Sequence, residues 1–419
     1  MDVLPVDIII TNIVTRVNPH ATAVLNKHLN AITIGTKWHM HYKHNKIESS
    51  MAIADNMLYN CINFNKLLNK SIEAGNLHGV EYAVASGADV TVNDNYAIKI
   101  ASLGGHFDIV KYLVVQGADV TVENNWAVQC ASEKGYLDVV KYLVDHGADI
   151  IAGYDLTLRF TSRNGHLHVV KYLVSLGAGT TADYNSAVQC ASEKGHLHVV
   201  KYLVSLGADI TANGNYAVQR ASEGGHLHVV KYLVAKGADI TDNNNAAIVL
   251  ASGNGHLETV KYIISLGGNI ANISTQAVER ASEHGSLDLV KYLVSQGANI
   301  RVGNDRALKY ACFKGHLDIV KYLVSLGANI TRHCSETIQV AFERGHRETA
   351  EYIVEMCKDR PNIIFNSVIV MNDINIIKDL ISRGADVCAN NNLALRTALK
   401  YNYMDIAALL WQHIEKRGW

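Results

Sequence analysis

A tyrosine recurs at every thirtieth position from Tyr82 to Tyr352, and the glycines from Gly75 to Gly345 keep the same step. No insertion or deletion interrupts this stretch. A fixed period of this size marks stacked supersecondary units, each too small to bury a core alone, so that neighbours supply one another's missing apolar face. Function in such a chain resides on an extended surface and not in one deep pocket. At 419 residues the chain exceeds the usual size of one globular core, but stacking lifts that limit because each unit packs only on its neighbours. The expected organisation is one elongated body: a helical N-terminal segment over residues 1–55, about ten repeats over 56–356, and divergent repeats with a cap over 357–419.

The unit Gly207 to Lys236 is representative. Tyr216, Ala217, Val218 and Ala221 put small and apolar groups on one side of a short helix, and Leu227, Val230, Tyr232, Leu233 and Val234 form a second apolar segment. Two antiparallel helices fit. Gly225 falls between them and Gly237 follows the second, each placed to take the left-handed conformation just past a helix end. The small residue four before the inter-helix glycine, from Ala101 to Ala341, lets adjacent helices approach closely, and only Thr161 departs, by one hydroxyl. An acid often precedes lysine by three positions on the second helix, as in Asp108/Lys111, Asp138/Lys141, Glu258/Lys261, Asp288/Lys291 and Asp318/Lys321. Such pairs contribute only about 0.2–0.5 kcal/mol each and mark a solvated face.

The run G-H-L-x-V-V-K-Y-L-V-x-x-G-A-D at Gly195 to Asp209 and at Gly225 to Asp239 is similar to the second-helix half of the ankyrin repeat. The resemblance covers the units from about residue 58 to 356, with two divergent ones around Ile374 to Asp386 and Leu393 to Leu410. It implies a mainly α, ankyrin-type solenoid of stacked helix-turn-helix repeats. The usual repeat has thirty-three residues and opens its first helix with T-P-L-H; here Tyr216-Ala217-Val218-Gln219 stands there and the loop is about three residues shorter, which implies a short, hairpin-like loop with a blunted β finger. This thirty-residue variant resembles the ankyrin-repeat proteins encoded in large numbers by giant DNA viruses of amoebae.

The opening Leu4-Pro5-x-Asp7-Ile8-Ile9, followed by two short helical segments, resembles an F-box, with Asn26-Lys27-His28 where its usual cysteine-arginine-x-tryptophan ending would stand. That resemblance implies docking of a ubiquitin-ligase adaptor through Leu4, Pro5, Ile8 and Ile9; the other reading is a helical cap that shields the first repeat. At the far end Pro361 interrupts the register, and Trp411 is expected to help seal the last interface.

Thirty-eight basic against thirty-nine acidic residues leave a formal charge of -1, so no global field gathers nucleic acid or anionic lipid. The seven cysteines, Cys61, Cys130, Cys190, Cys312, Cys334, Cys357 and Cys388, are scattered and never in a C-x-x-C pair, which points to a reducing compartment. No basic n-region with a long h-region opens the chain, and no apolar run reaches about twenty residues. A soluble, monomeric, cytoplasmic protein is the expectation, in the host cytoplasm if the chain is viral.

The pairs His166/His168, His196/His198 and His226/His228 recur at the repeat step, but stacked helical layers lie about 10 Å apart while zinc needs ligands at about 2 Å. The His39-Met40-His41 and His44 group has no cysteine or carboxylate partner and no H-E-x-x-H spacing. No nucleophile elbow, Walker loop, dinucleotide fingerprint or kinase signature occurs. The expectation is a protein without metal, cofactor or catalysis.

Comparing repeats with one another separates frame from cargo. Glycine, tyrosine and the small alanine barely vary, whereas the position nine before the inter-helix glycine runs Tyr96, Trp126, Leu156, Ser186, Tyr216, Ala246, Gln276, Arg306, Glu336. In an ankyrin-like stack this position opens the first helix on the concave side. Tyr96, Trp126, Tyr154, Tyr184 and Tyr216 are aromatics of the kind that dominate interface hot spots, although Tyr96 and Trp126 could equally pack on a neighbouring unit. Arg159 and Arg220 project from the same first helices. The expected function is a non-enzymatic scaffold that holds a protein partner on this face, or, through the F-box-like opening, a substrate receptor of a cullin-type ubiquitin ligase.

Overall fold

A computed structural model describes residues 63–149, 154–179, 181–267 and 270–416. The F-box-like opening with Leu4, Pro5, Ile8 and Ile9 and the His39 to His44 group lie outside the described residues. The chain divides into two compact units, one with residues up to 130 plus 141–148, the other with 131–140 and 149 onward. The first unit draws on helices α1 (Phe64–Glu73), α2 (Leu77–Ala85), α3 (Val92–Gly104), α4 (Phe107–Val115), α5 (Val122–Lys134) and α6 (Leu137–Asp145). The second holds α7 (Tyr154–Arg163), α8 (Leu167–Ser175), α9 (Thr181–Glu193), α10 (Leu197–Ser205), α11 (Ala212–Glu223), α12 (Leu227–Ala235), α13 (Asp242–Gly253), α14 (Leu257–Ser265), α15 (Ile270–His284), α16 (Leu287–Ser295), α17 (Val302–Lys314) and α18 (Leu317–Ser325). It continues through α19 (Cys334–Glu343), α20 (Arg347–Cys357), α21 (Pro361–Val368), α22 (Ile374–Ser382), α23 (Ala389–Lys400) and α24 (Met404–Glu415). No strand occurs among the described residues. The mainly α, ankyrin-type stacking of helical pairs is what the structure shows.

The pair α11 and α12 explains why thirty residues suffice. Ala217, Val218 and Ala221 of α11 and Val229, Val230 and Leu233 of α12 are buried, because small residues on the first helix let the next first helix come close while the branched residues of the second fill the seam. Burying a Leu233-sized side chain fully is worth about 1.5–3 kcal/mol. The hairpin ends where expected. Gly207 has φ +92°, its N–H bonds Val204 O at 3.1 Å and the Ala208 N–H bonds Leu203 O at 3.2 Å, the paired bonds that close a helix on a left-handed residue. Where Thr161 replaces the small alanine, its hydroxyl donates to Thr157 O at 2.6 Å, so the extra polar group is satisfied inside its own helix.

The loops that precede the first helices are short, and five of those described are built on left-handed turns instead of a β finger. Asn213, Gly214 and Asn215 all have positive φ, as do Asn93-Asp94-Asn95, Glu123-Asn124-Asn125, Gly303-Asn304-Asp305 and Asn390-Asn391-Asn392. Asn, Asp and Gly are the residues that tolerate this region, which explains why they fill all but one of the positions in these five triplets, Glu123 being the exception. The third residue of the triplet then reaches into the next unit: Asn215 Oδ1 accepts the Asp239 N–H at 2.8 Å, Asn95 Oδ1 the Asp119 N–H at 2.8 Å, and Asp305 Oδ1 the Asn329 N–H at 3.3 Å. The recipient loop is tightened in turn, since Asp209 Oδ1 accepts both the N–H and the hydroxyl of Thr211. Those two bonds, hydroxyl first, hold the Asp209 carboxyl below the ordinary carboxylate range.

The opposite turns are tied by histidine. His226 donates from Nε2 to Glu193 O at 2.9 Å, and His228 from Nε2 to Gly195 O at 3.0 Å. His168 and His198 make the same bond to Gly135 O and Gly165 O. Each histidine of the ladder named here holds a backbone carbonyl of the preceding unit. At the end of the chain Pro361 opens α21, where its missing N–H costs nothing. Trp411 does not seal an interface: it is 53% exposed, and its indole N–H donates to Glu415. No disulfide forms among the described cysteines, and no described helix is long and apolar enough to cross a membrane.

Candidate functional site

The first helices present the side chains that the frame leaves unconstrained. In the first unit Tyr96 is exposed and Trp126 half-buried. Both follow directly on a left-handed triplet, which fixes the direction in which they leave the loop. In the second unit Arg159, Tyr184, Tyr216 and Arg220 are all half-buried. Tyr154 opens α7, and its side chain lies outside the described residues.

Tyr216 and Arg220 form a preassembled pair. They stand one helical turn apart on α11, and the guanidinium carbon lies 4.5 Å from the tyrosine ring centroid. Arg220 also bonds the Tyr216 hydroxyl and, through Nη1, Glu223 Oε2 at 2.5 Å. Partial burial draws the Arg220 pKa down, but Glu223 and Tyr216 outweigh it and hold the guanidinium firmly charged. Stacked and ion-paired, this arginine presents its remaining N–H donors with little rotamer entropy left to lose.

Tyr184 is committed to the frame instead. Its hydroxyl lies 3.4 Å from Ala178 O, and its ring packs where a side chain on residue 179 would stand, space that Gly179 leaves open. Two exposed apolar residues join the face that the aromatic and arginine series did not include: Leu156, 46% exposed, and Phe160, 42% exposed, both on α7. Phe160 occupies the repeat position of Arg220, sixty residues earlier, which is the signal that identifies it.

Farther along the same unit α13, α15 and α17 enclose a cleft of about 250 Å³ lined by Gln276, Glu279, Arg280, Glu283, Arg306 and Tyr310, with Val249 at its edge. Glu279 is buried, and its Oε1 lies 3.3 Å from Arg306 Nε without an N–H directed at it, so the pair is an ion contact and not a hydrogen bond. Burial pushes the Glu279 carboxyl above its ordinary range, against the pull of Arg306 and Arg280. Among the described residues no cluster of histidine, cysteine and carboxylate could hold a metal ion.

The sequence matches the family described as ankyrin repeats, three copies, at residues 68–153, 157–214, 211–277, 248–334 and 277–364. No curated protein matches the chain. Among solved structures it is similar to the human ASB11 ankyrin repeat domain, at 22% identity and a TM-score of 0.40, over 47% of this chain and 96% of that one. With the matched segments covering most of the periodic region, the chain belongs to the ankyrin-repeat family.

Proposed function

We propose that the protein is a non-enzymatic scaffold that captures a protein partner on the first-helix face of its second unit, centred on Tyr216 and Arg220. Ankyrin repeats generally serve as protein–protein interaction modules. The observation that carries the reading is the Tyr216–Arg220–Glu223 cluster, an aromatic and an arginine rigidified at a repeat position where the frame accepts anything from Ala246 to Arg306. Tyrosine and arginine are the residues most enriched at binding hot spots, and truncating one there typically costs 2 kcal/mol or more, about a thirtyfold loss of affinity.

The test is affinity purification with chemical cross-linking from eukaryotic cells, comparing wild type with the double variant Tyr216→Ala/Arg220→Ala. The expected result is a partner cross-linked to α9, α11 or α13 in the wild type and lost in the variant at equal helicity. A partner retained by the variant would remove Tyr216 and Arg220 from the binding face.

A further inference from the structure

The repeat position of Glu279 runs Lys99, Gln129, Arg159, Gln189, Gln219, Val249, Glu279, Lys309, Gln339. Glutamine is its commonest occupant, for a visible reason: Gln129 Nε2 donates to Asn124 O and Gln219 Nε2 to Gly214 O, each at 2.6 Å, so the amide ties its own left-handed loop. A carboxylate is acceptor-only and cannot make that bond. Glu279 is nonetheless the acid placed there, 7% exposed, with an Oε1 that receives no hydrogen bond. A second acid, Glu283, stands one turn farther along α15, and like charges four residues apart on a helix cost a few tenths of a kcal/mol. Glu283 belongs to the frame, since Glu133, Glu193 and Glu223 hold the same repeat position and Lys314 of the next repeat pairs with it at 3.5 Å, but Glu279 gives up the loop tie that glutamine makes and gets in return only the undirected contact with Arg306. A departure from the frame that lowers stability is expected where a sequence serves binding.

Resting on the reading above that this face holds a protein, we propose that the cleft between α13, α15 and α17 receives one basic side chain, arginine or lysine, of the partner, with Glu279 as its buried acceptor. The volume of about 250 Å³ falls below the roughly 300–1,000 Å³ of small-molecule sites and suits a single side chain carried by a larger ligand. Two acceptors on one helix face line the cleft, the carboxylate of Glu279 and the amide oxygen of Gln276, and Tyr310 lines it from α17 as a ring on which a cation can rest. Arg306, 54% exposed, is the rim residue that holds the Glu279 charge in the free protein and turns outward when the ligand's N–H groups take its place. Arg280 and Lys314 stay with Glu283, 3.3 and 3.5 Å away, so Glu279 is the acid left for the ligand. A buried carboxylate that lacks a hydrogen bond gains more from a directed donor than a solvated one does.

Panning the full chain against random linear peptides displayed on phage tests this. The expected result is enrichment of peptides that share one arginine or lysine. In synthetic copies, replacing that residue by alanine or citrulline weakens binding at least tenfold to the wild type and changes it less than threefold in the Glu279→Gln variant. That variant carries the residue found at the same position in four other repeats, and its melting temperature is expected to equal or exceed the wild-type value. Enriched peptides with no shared basic residue, with a shared acid that binds Arg280 and Arg306, or with a basic residue whose loss matters equally in Glu279→Gln would overturn the assignment. So would a lower melting temperature for Glu279→Gln, which would make the carboxylate part of the frame. Peptides that depend on Tyr216 and Arg220 but show no basic requirement sink the cleft alone. A basic requirement at Glu279 with no dependence on Tyr216 and Arg220 upholds the cleft and sinks their place at the centre of the face, and no enrichment at all sinks both.

Discussion

The ammonium of Lys201 lies over the ring of Tyr232, 5.7 Å from its centroid and one repeat farther along. The same contact joins Lys171 to Tyr202, Lys231 to Tyr262, Lys261 to Tyr292, Lys291 to Tyr322 and Lys321 to Tyr352. The lysine–tyrosine dipeptide is therefore kept for contacts between units more than for ion pairs within a helix. The i,i+3 pairs Lys111–Asp108 and Lys261–Glu258 do form, at 3.3 and 2.7 Å. Cation–π contacts at exposed sites are worth about 0.5–1 kcal/mol each. A double-mutant cycle with Lys201→Met and Tyr232→Leu, read by urea denaturation, should return a coupling in that range, and additive effects would refute the ladder.

Acid should weaken the second unit. Burial, opposed by the backbone carbonyls they bond and reinforced by neighbouring histidines and, for His166 and His226, by a lysine, holds His166, His196 and His226 below the ordinary value of 6.5. The unfolded chain then takes up protons first as pH falls. The stability these histidines contribute is fully present above about 6.5 and is lost as pH drops from there through their lower folded values. Thermal melts followed by circular dichroism should show a falling melting temperature from pH 7 to pH 5, with a shallower slope in His166→Gln/His196→Gln/His226→Gln. Equal slopes would assign the acid sensitivity elsewhere.

Asn215 carries two burdens that substitutions can separate. Asn215→Ala loses the bond to the Asp239 N–H and strains a residue at φ +58°, at an expected cost of about 2–3 kcal/mol. Asn215→Gly relieves the strain and loses only the bond, about 1 kcal/mol. Asn215→Asp keeps both, as Asp305 does in its own unit, and should be near neutral. Equal losses for all three, in chemical denaturation, would show that the left-handed turn does not govern the loop.

Two glycines with similar backbones should behave differently. Gly207 has φ +92° with open space beyond it, so Gly207→Ala meets backbone strain alone, about 1–2 kcal/mol. Gly195 has φ +78°, and a Cβ there would sit 2.5 Å from His226 Nδ1. Gly195→Ala must therefore also displace the ring that bonds Glu193 O, and should melt several degrees lower than Gly207→Ala. Identical melting temperatures would mean that the ring moves without consequence.

The helical pairs were legible because Tyr232, Gly225 and Ala221 recur at positions where the stack admits almost nothing else. The left-handed loop was not read, although Asn213-Gly214-Asn215 and Asn93-Asp94-Asn95 spell it. A search for helix starts looks for one capping side chain, whereas here three consecutive residues with positive φ precede the regular helix. Tyr216 and Arg220 could be named from their spacing, but the Glu223 that locks them could not, since Glu133, Glu193 and Glu283 at its repeat position look like solvated acids. Tyr184 illustrates the reverse: an aromatic next to a variable position reads as a hot spot until Gly179 is seen to leave it a place in the frame. Glu279 is conspicuous only against the glutamines of other repeats, and its burial belongs to the packing of three helices.

The bonds from Asn215 to the Asp239 N–H and from His226 to Glu193 O each reach a single neighbour. Nothing in them depends on how many cassettes came before. Unequal recombination within the gene could therefore remove or duplicate a thirty-residue cassette without leaving a mismatched seam, and each such event would change how much surface the protein offers to other molecules while the rules of its assembly stayed the same.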